Sequence, residues 1–301
     1  MITYYKRTVK DEILLKLAEY KIGCWINVIN PDSNEIDYLV KKFELDKQNL
    51  IAGLDENEMP RIEIAEKKIY IFVKGLSPEN ELKTFLIVIS KDFILTLSKE
   101  KLKVIEKIIN GEITIYTTQK LKSLIKILSH LNKEFENATL KIVKEVRSRR
   151  KKIRELRESD VNLLLEYEET LNNFVHYFYH ILILYNRMLK RIKFYEEDKE
   201  IIEDLIIEAN EEFNLCKSSL KTISNIRNHY MILLSNKLNR VITILTLVTI
   251  FISIPAAISG IYGMNIKLPL QNNPFAFYYI IFLNILIWIG FVAYLIKKKI
   301  I

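Results

Sequence analysis

The sequence predicts an α+β membrane protein with an N-terminal α/β cytoplasmic domain, a long helical stalk and two C-terminal transmembrane helices. Two uncharged apolar runs, residues 241–262 and 275–296, each have the ~20 residues that a helix needs to cross a bilayer. Glycine and proline recur in the first 111 residues and are then absent from 112–254. Because both residues interrupt helices, their absence favours long helices between the N-terminal domain and the membrane.

Residues 1–118 are interpreted as the cytoplasmic α/β domain. A helix is expected over 33–43, directly after the turn sequence Asn30-Pro31-Asp32. Short runs rich in β-branched and aromatic residues, bounded by turn residues, predict strands at 69–73, 84–89 and 93–97.

Residues 119–195 are expected to form two antiparallel cytoplasmic helices, with their turn near Glu158-Ser159-Asp160. A third helix is predicted to begin near residue 196, where a run of acidic residues suits a helix N-terminus. Nothing interrupts this helix before Pro255. Residues 196–240 would therefore form the cytoplasmic part of the stalk, and the same helix would continue into the membrane as the first span.

The charge pattern predicts how the two spans cross the membrane. The chain carries 45 Lys and Arg against 37 Asp and Glu, a net charge of +8. The connecting loop, 263–274, has only Lys267 as a charged residue. The chain before the first span and after the second span is basic instead. The flanking residues are Lys237, Arg240, Lys297, Lys298 and Lys299. The positive-inside rule then places both termini in the cytoplasm of a multi-pass cell-membrane protein, with 297–301 as a basic tail and the loop outside. We expect lipid rather than nucleic acid to meet this charge.

Neither an enzyme nor a bound cofactor is expected, because the sequence contains no phosphate-binding loop and no nucleophile motif. Cys24 and Cys216 lie in the part assigned to the cytoplasm, where a structural disulfide is not expected. His176 and His180 stand four residues apart on a predicted helix, a spacing that could hold zinc. The aromatic residues around them favour packing histidines instead.

A polar seam follows the first predicted span. Two positions of a seven-residue repeat, read backward from Gly260 and Gly263, hold mostly small or polar residues in a segment that is otherwise apolar. The polar seam consists of Asn239, Ile242, Thr246, Thr249, Ser253, Ala256 and Gly260. Polar side chains in a membrane helix tend to face a bundle interior or a water-filled path, which favours a pore lining. The alternative is that small residues simply allow two helices to pack closely.

The tetrapeptide Tyr262-Gly263-Met264-Asn265 stands between the two predicted spans. Its sequence and position resemble the CorA family of divalent-cation channels, whose signature is Gly-Met-Asn at the outer end of the first membrane helix. Further similarity lies in residues 235–239 at the membrane entrance, in Pro255, and in residues 54–63 of the N-terminal domain. The outer loop resembles the branch of the family that lacks an acidic residue after the signature.

The resemblance implies a homopentameric funnel in which the first membrane helix of each subunit lines the pore. Gly263, Met264 and Asn265 would form the selectivity filter, and Gly263 would allow the backbone to turn at the mouth. Five Asn265 carboxamides would present neutral oxygens to a hydrated Mg²⁺ ion, which gives up its water reluctantly. Because Ser253 and Ala256 are small, either Ile242 and Leu245 form an apolar gate or the closed state is built differently.

The resemblance also implies that Mg²⁺ bound between cytoplasmic domains closes the channel, with Asp204 and Asp55 as candidate ligands. Mg²⁺ would be both the transported and the regulatory ion, and the expected partners are other copies of the chain and the bilayer. Two alternatives stay open. One is transport of another divalent metal (Co²⁺, Ni²⁺ or Zn²⁺), with or without proton coupling. The other is a membrane-anchored signalling or scaffold protein, which would need no polar seam.

Overall fold

The computed structural model describes residues 1–270 and 272–297, so residues 298–301 of the predicted basic tail lie outside the described part. The chain divides into two compact units, Met1–Arg227 and Asn228–Ile301. The strands are β1 (Ile2–Lys6), β2 (Leu15–Leu17), β3 (Cys24–Ile29), β4 (Arg61–Ala65), β5 (Lys68–Leu76), β6 (Leu82–Ile89) and β7 (Phe93–Ser98). The helices are α1 (Ser33–Phe43), α2 (Lys47–Ala52), α3 (Lys103–Ile109), α4 (Lys120–Lys151), α5 (Glu158–Arg191), α6 (Glu196–Tyr262) and α7 (Ala276–Lys297).

The strands of the first unit form one sheet with the order β2-β1-β3-β7-β6-β5-β4. β3 and β7 run parallel, and the other neighbouring strands are antiparallel. The three predicted strands are confirmed as β5, β6 and β7, and the helix predicted over 33–43 is α1. β7 is buried at every position, which explains why it is a continuous run of apolar and hydroxyl side chains rather than an alternating one.

Helices cover both faces of this sheet. On one face, α1 and α2 contribute Ile36, Leu39 and Leu50 to a hydrophobic core. On the other face, Trp25 and Phe85 join a second core that continues through α4 and α5 to the cytoplasmic turns of α6. The first unit is therefore a sheet between two helical layers, with α6 held by the larger of its two cores.

A buried hydrogen-bonded trio joins β3 to β7. The hydroxyl of Thr96 accepts a hydrogen bond from Nε1 of Trp25 (2.8 Å) and donates one to Oδ1 of Asn27 (3.0 Å). Trp25 and Thr96 are completely buried. Because a buried polar group is costly unless it is paired, the trio favours this one register of the parallel strands.

The helical pair turns earlier than the sequence predicts. α4 ends at Lys151 and α5 begins at Glu158, with a short 3₁₀ turn between them. The predicted turn at 158–160 is therefore wrong. These residues form the first turn of α5, where the carboxylate of Asp160 accepts a hydrogen bond from the backbone N–H of Arg157 (3.1 Å). Acidic side chains stabilise the start of a helix, so the residues that suggested a turn between the helices form the N-terminus of α5 instead.

α6 runs without a break from Glu196 to Tyr262, as predicted, and contains Pro255. It begins in the first compact unit and ends in the second. α6 and α7 are both long and apolar enough to cross a membrane. The helix that is packed in the cytoplasmic core is thus the same helix that supplies the first span.

A partly buried carboxyl group lies between α4 and α6. Oε2 of Glu212 is buried and has no hydrogen-bond partner among the described residues. Burial raises the pKa of Glu212 to about 7, with the charge of Glu136 adding to the effect. A hydrogen bond with Thr139 and the charge of Lys133 act in the opposite direction. The contact between α4 and α6 therefore depends on whether this carboxyl group carries a proton.

Thr96→Val should destabilise the first unit, because it leaves both Trp25 Nε1 and Asn27 Oδ1 buried without their partner. An orphaned buried group costs about 1–3 kcal/mol, so the midpoint of thermal unfolding should fall measurably for the full chain in detergent. Thr170→Val is the matched control, since Thr170 is only partly buried on α5 and its hydroxyl donates to the Glu166 carbonyl of its own helix (2.9 Å). Equal midpoints for the two variants would contradict a stabilising role of the trio.

Glu212→Gln should stabilise the first unit more as the pH rises. An unfolded glutamate titrates near pH 4.3, whereas the pKa of native Glu212 is about 7. The native state therefore holds a proton that the unfolded state releases, and wild-type stability falls between these two pH values. The neutral variant escapes this loss, so its advantage should grow across that window to about 1–3 kcal/mol above pH 7.

The measurement is the unfolding midpoint from pH 5 to pH 8, with Glu203→Gln as the control because Glu203 is an exposed residue of the same helix. Parallel pH curves for wild type and Glu212→Gln would rule out a proton-dependent contact.

Candidate functional site

The predicted filter follows directly on the C-terminal end of α6. The backbone N–H of Gly263 donates to the Ser259 carbonyl (2.9 Å), and that of Met264 donates to the Ile261 carbonyl (3.2 Å). Helical hydrogen bonding thus continues into the tetrapeptide. A Cβ at Gly263 would lie 3.3 Å from the Ser259 carbonyl oxygen, and the φ angle of Gly263 is not positive. Gly263 lies in a turn after α6, and the absence of a Cβ permits this close approach to the backbone.

Asn265 comes two residues after that glycine and is exposed. Its carboxamide makes no hydrogen bond within the described part of the chain, whereas Asn273 in the same loop does. Oδ1 of Asn273 accepts from the backbone N–H of Phe275 (2.9 Å), just before α7 begins at Ala276. Of these two loop asparagines, Asn273 serves the start of a helix, and Asn265 has no such structural role among the described residues.

The polar seam occupies one exposed face of α6. Each of its residues is exposed, and the predicted gate residues Ile242 and Leu245 are 52% and 65% exposed. The hydroxyls of Thr246, Thr249 and Ser253 donate to the carbonyls four residues earlier, at 2.9, 2.9 and 2.7 Å. Since each hydroxyl proton points back to the helix, the outward side of each oxygen can only accept.

α7 packs on the opposite face of α6. The rings of Phe251 and Trp288 stack with centroids 4.0 Å apart and planes 16° apart. At 3.6 residues per turn, Phe251 lies ~200° around the helix from Thr249 and Ser253. The partly covered residues of this part of α6 lie on the Phe251 side, and they are Leu247, Ile254, Pro255 and Ile258. α7 therefore leaves the polar seam uncovered.

The two predicted regulatory acids are both exposed. Asp55 lies in the loop between α2 and β4, where its Oδ1 accepts from the backbone N–H of Asn57 (2.9 Å), and Asp204 lies on α6. Among the described residues, no hydrogen bond or ion pair joins these carboxylates, and no group of three or more His, Cys, Asp or Glu residues could hold a metal ion. Both assignments stay predictions, because a site between subunits needs a second chain.

A buried lysine near Asp55 was not predicted from the sequence. Nζ of Lys74 donates to the Glu56 carbonyl and to Oγ1 of Thr84, and burial lowers the pKa of Lys74. The carboxylates of Asp55, Glu58 and Glu56 partly oppose that shift. The ammonium group of Lys74 therefore already places one positive charge at the Asp55 loop, and this charge would repel a divalent ion bound there. Only the position of Lys74 in the middle of a strand could have suggested an inward-facing charge.

The cysteines and the histidine pair take no part in this site. Cys24 and Cys216 are free and fully buried, and burial raises the pKa of the Cys216 thiol to about 12. Because both thiols are buried, neither is expected to react readily with reagents that label exposed cysteines. His176 lies beside Tyr177, which stacks on Phe135 with ring centroids 4.2 Å apart.

Similar proteins are known at both the sequence and the structure level. The chain is 28% identical over 303 residues to the cobalt/magnesium transport protein CorA of Methanocaldococcus jannaschii, covering 94% of this chain and 92% of that protein. The complete structure of the CorA magnesium transporter from the same organism matches with a TM-score of 0.84 and 26% identity, covering 97% and 96% of the two chains. The full-length CmaX protein shares the fold, with a TM-score of 0.75, 13% identity and coverage of 99% and 96%.

A comparison with protein-family models matches residues 20–298 to the CorA-like Mg²⁺ transporter protein family. The match covers β3 to β7, the helical pair, α6 and α7, and so includes most of the chain. The two apolar helices at the C-terminal end agree with that assignment. The chain therefore belongs to the CorA-like Mg²⁺ transporter family, a family of transporters rather than enzymes, and is a membrane protein with a cytoplasmic N-terminal domain.

Proposed function

We propose that this chain forms a homopentameric channel that carries Mg²⁺ across the cell membrane. In this proposal α6 of each subunit lines the pore, a ring of Asn265 side chains selects the hydrated ion, and cytoplasmic Mg²⁺ controls opening. Transport of Mg²⁺ or Co²⁺ is the function named for the similar protein from Methanocaldococcus jannaschii. The filter and the gate are finer steps that the geometry of this chain supports, and the pentamer is the assembly that the resemblance implies.

The observation that carries the proposal is the division of α6 into two faces. α7 stacks Trp288 on Phe251, and the polar seam is exposed on the other side. Were the polar seam only a surface for close packing, α7 would be the nearest helix to occupy it. A row of small and hydroxylated residues on the face of α6 that α7 does not cover is suited to line a water-filled path.

The chemistry of the polar seam suits cations. The hydroxyl oxygens of Thr246, Thr249 and Ser253 have donated their protons to the backbone, so they present lone pairs outward. Mg²⁺ prefers oxygen ligands and usually keeps several of its waters. Neutral oxygens along the path can accept hydrogen bonds from those waters without binding the ion too tightly to leave.

The same reasoning applies to the filter and to the gate. The Asn265 carboxamide is exposed and makes no hydrogen bond within the described chain, so its carbonyl oxygen is free to face a hydrated ion. Ile242 and Leu245 are apolar residues near the cytoplasmic end of the span, where a hydrophobic constriction can close a pore by excluding water. For regulation we propose Asp204 and Asp55, with Lys74 reducing the attraction of the Asp55 loop for divalent ions.

Asn265→Ala should lower Mg²⁺ flux by about tenfold or more, which corresponds to the loss of ~1.4 kcal/mol of ion stabilisation at the filter. Flux is measured with a metal-sensitive dye inside liposomes that contain the purified full chain, with Co²⁺ tested in parallel. Asn272→Ala is the control, because Asn272 is an exposed asparagine of the same loop. Equal Mg²⁺ flux in wild type and Asn265→Ala would remove the filter assignment. No flux of either ion in wild type would favour the anchor or scaffold alternative.

Thr249→Cys should react quickly with a charged, water-soluble thiol reagent, and the reaction should block ion flux. Ile254→Cys is the matched control, since Ile254 lies on the partly covered side of α6 that faces α7. The native cysteines are buried and give little background. We expect the labelling rate at Thr249→Cys to exceed that at Ile254→Cys by about tenfold, as for a wet against a dry face. The reverse order would show that the polar seam is not the water-filled side.

A further inference from the structure

Two polar atoms of α7 are buried inside the second unit without partners. Oδ1 of Asn284 and Nε1 of Trp288 have no hydrogen-bond partner in the described part of the chain. The residues are four apart, so both lie on one face of α7. The amide nitrogen of Asn284 already donates to the Ile280 carbonyl (3.0 Å). An acceptor and a donor are therefore left over in a segment where lipid offers neither.

α6 lacks one helical backbone hydrogen bond at a residue that contacts α7. Pro255 carries no N–H, so the usual helical bond to the carbonyl of Phe251 cannot form. Phe251 is the residue whose ring stacks on Trp288. The backbone acceptor released by Pro255 and the unpaired atoms of α7 thus belong to residues that are in contact or one turn apart.

The inventory of these groups matches one water molecule. The site offers two acceptors, the Phe251 carbonyl and Asn284 Oδ1, and one donor, the indole N–H of Trp288. A direct bond between Trp288 and either acceptor would leave the other acceptor unpaired. A water can donate twice and accept from the indole, and buried waters typically make about three such bonds. Ordered waters are also a known means of satisfying a backbone freed by proline in a membrane helix.

We propose that Asn284 and Trp288 hold a structural water against the Phe251 carbonyl and thereby position the proline segment of α6. The consequence for ion conduction rests on the proposed function, in which α6 lines the pore. Pro255 lies between Ser253 and Ala256 of the polar seam, so any bend of α6 at this residue moves the path that ions follow. Asn284 and Trp288 are positioning residues, since they act through α6 rather than on the ion.

The water is tested directly by proton-detected solid-state NMR of the full chain in lipid, labelled with ¹⁵N-tryptophan. The chain has two tryptophans, so two indole signals are expected, and Trp288→Phe assigns them. Trp25 is an internal dry control, because it is fully buried and its indole N–H is bonded to Thr96 (2.8 Å). We expect magnetisation to pass from water to the Trp288 indole and not to that of Trp25. Absence of transfer to Trp288 would overturn the proposal.

Asn284→Leu should reduce the transfer to Trp288 by about threefold, the equilibrium change expected for one interhelical hydrogen bond in a membrane. Tyr279→Phe is the control, because it also removes a polar group from α7 but lies ~180° around the helix from Trp288 and is exposed. Transfer that is unchanged in Asn284→Leu would show that the indole meets water by another route, which also overturns the proposal.

The positioning role is tested by Mg²⁺ flux of the same variants in liposomes. Asn284→Leu should change the flux by about threefold, while Tyr279→Phe should match wild type. Wild-type flux in Asn284→Leu together with lost water transfer would remove the positioning role. Water transfer is measured without ion flow, so its failure counts against the water site alone. Absence of flux in wild type would count against the proposed channel instead.

Discussion

A helix that crosses a bilayer has to satisfy its own polar groups, and the second unit is organised by that requirement. In α6, Thr246, Thr249 and Ser253 donate their hydroxyl protons to carbonyls of the same helix. This makes a polar stripe compatible with the membrane and leaves oxygens that can only accept on its outer side. At Pro255 the helix lacks one backbone N–H. Within the described part of the chain, α7 carries two polar atoms without a partner, one of them on Trp288, which stacks on Phe251. One constraint therefore accounts for both the polar seam and the polar atoms behind it.

The period of the α-helix places the polar seam and the contact with α7 on different faces of the same segment of α6. Thr249 and Phe251 are two residues apart, yet a turn of 3.6 residues places them on nearly opposite sides of α6. Bulk on the Phe251 side anchors α7, while small residues on the other side leave room for a path. α6 also belongs to the cytoplasmic core, where Leu205 and Cys216 are buried with α4 and α5. The helix that carries the polar seam is therefore also part of the cytoplasmic core.

Long-range features of the composition predicted the architecture well, and local charge predicted it less well. The absence of Gly and Pro from 112–254 correctly indicated long helices, and the β-branched runs correctly indicated β5, β6 and β7. The turn at 158–160 was misplaced because acidic residues mark a helix start as readily as a loop. Lys74 could not be predicted, since the carbonyl of Glu56 that receives its ammonium group lies 18 residues earlier in the chain. The polar seam could be found in the sequence as a seven-residue repeat. That it lies on the face of α6 away from α7 became clear only from the stacking of Phe251 on Trp288.

The loop between the spans contains no acidic side chain and one lysine, Lys267, so attraction of cations has to come from elsewhere. The end of α6 provides a source. The last carbonyls of a helix carry a partial negative charge, equivalent to about half an electron at its C-terminus. Within the described part of the chain, the N–H groups of Gly263 and Met264 cover two of these carbonyls, those of Ser259 and Ile261. At the other side of the loop, the Asn273 side chain accepts from an N–H near the start of α7 and so reduces the opposing positive end. Asn265 lies three residues beyond this negative end of α6, so in the proposed channel its neutral amide would meet a hydrated cation that the backbone attracts.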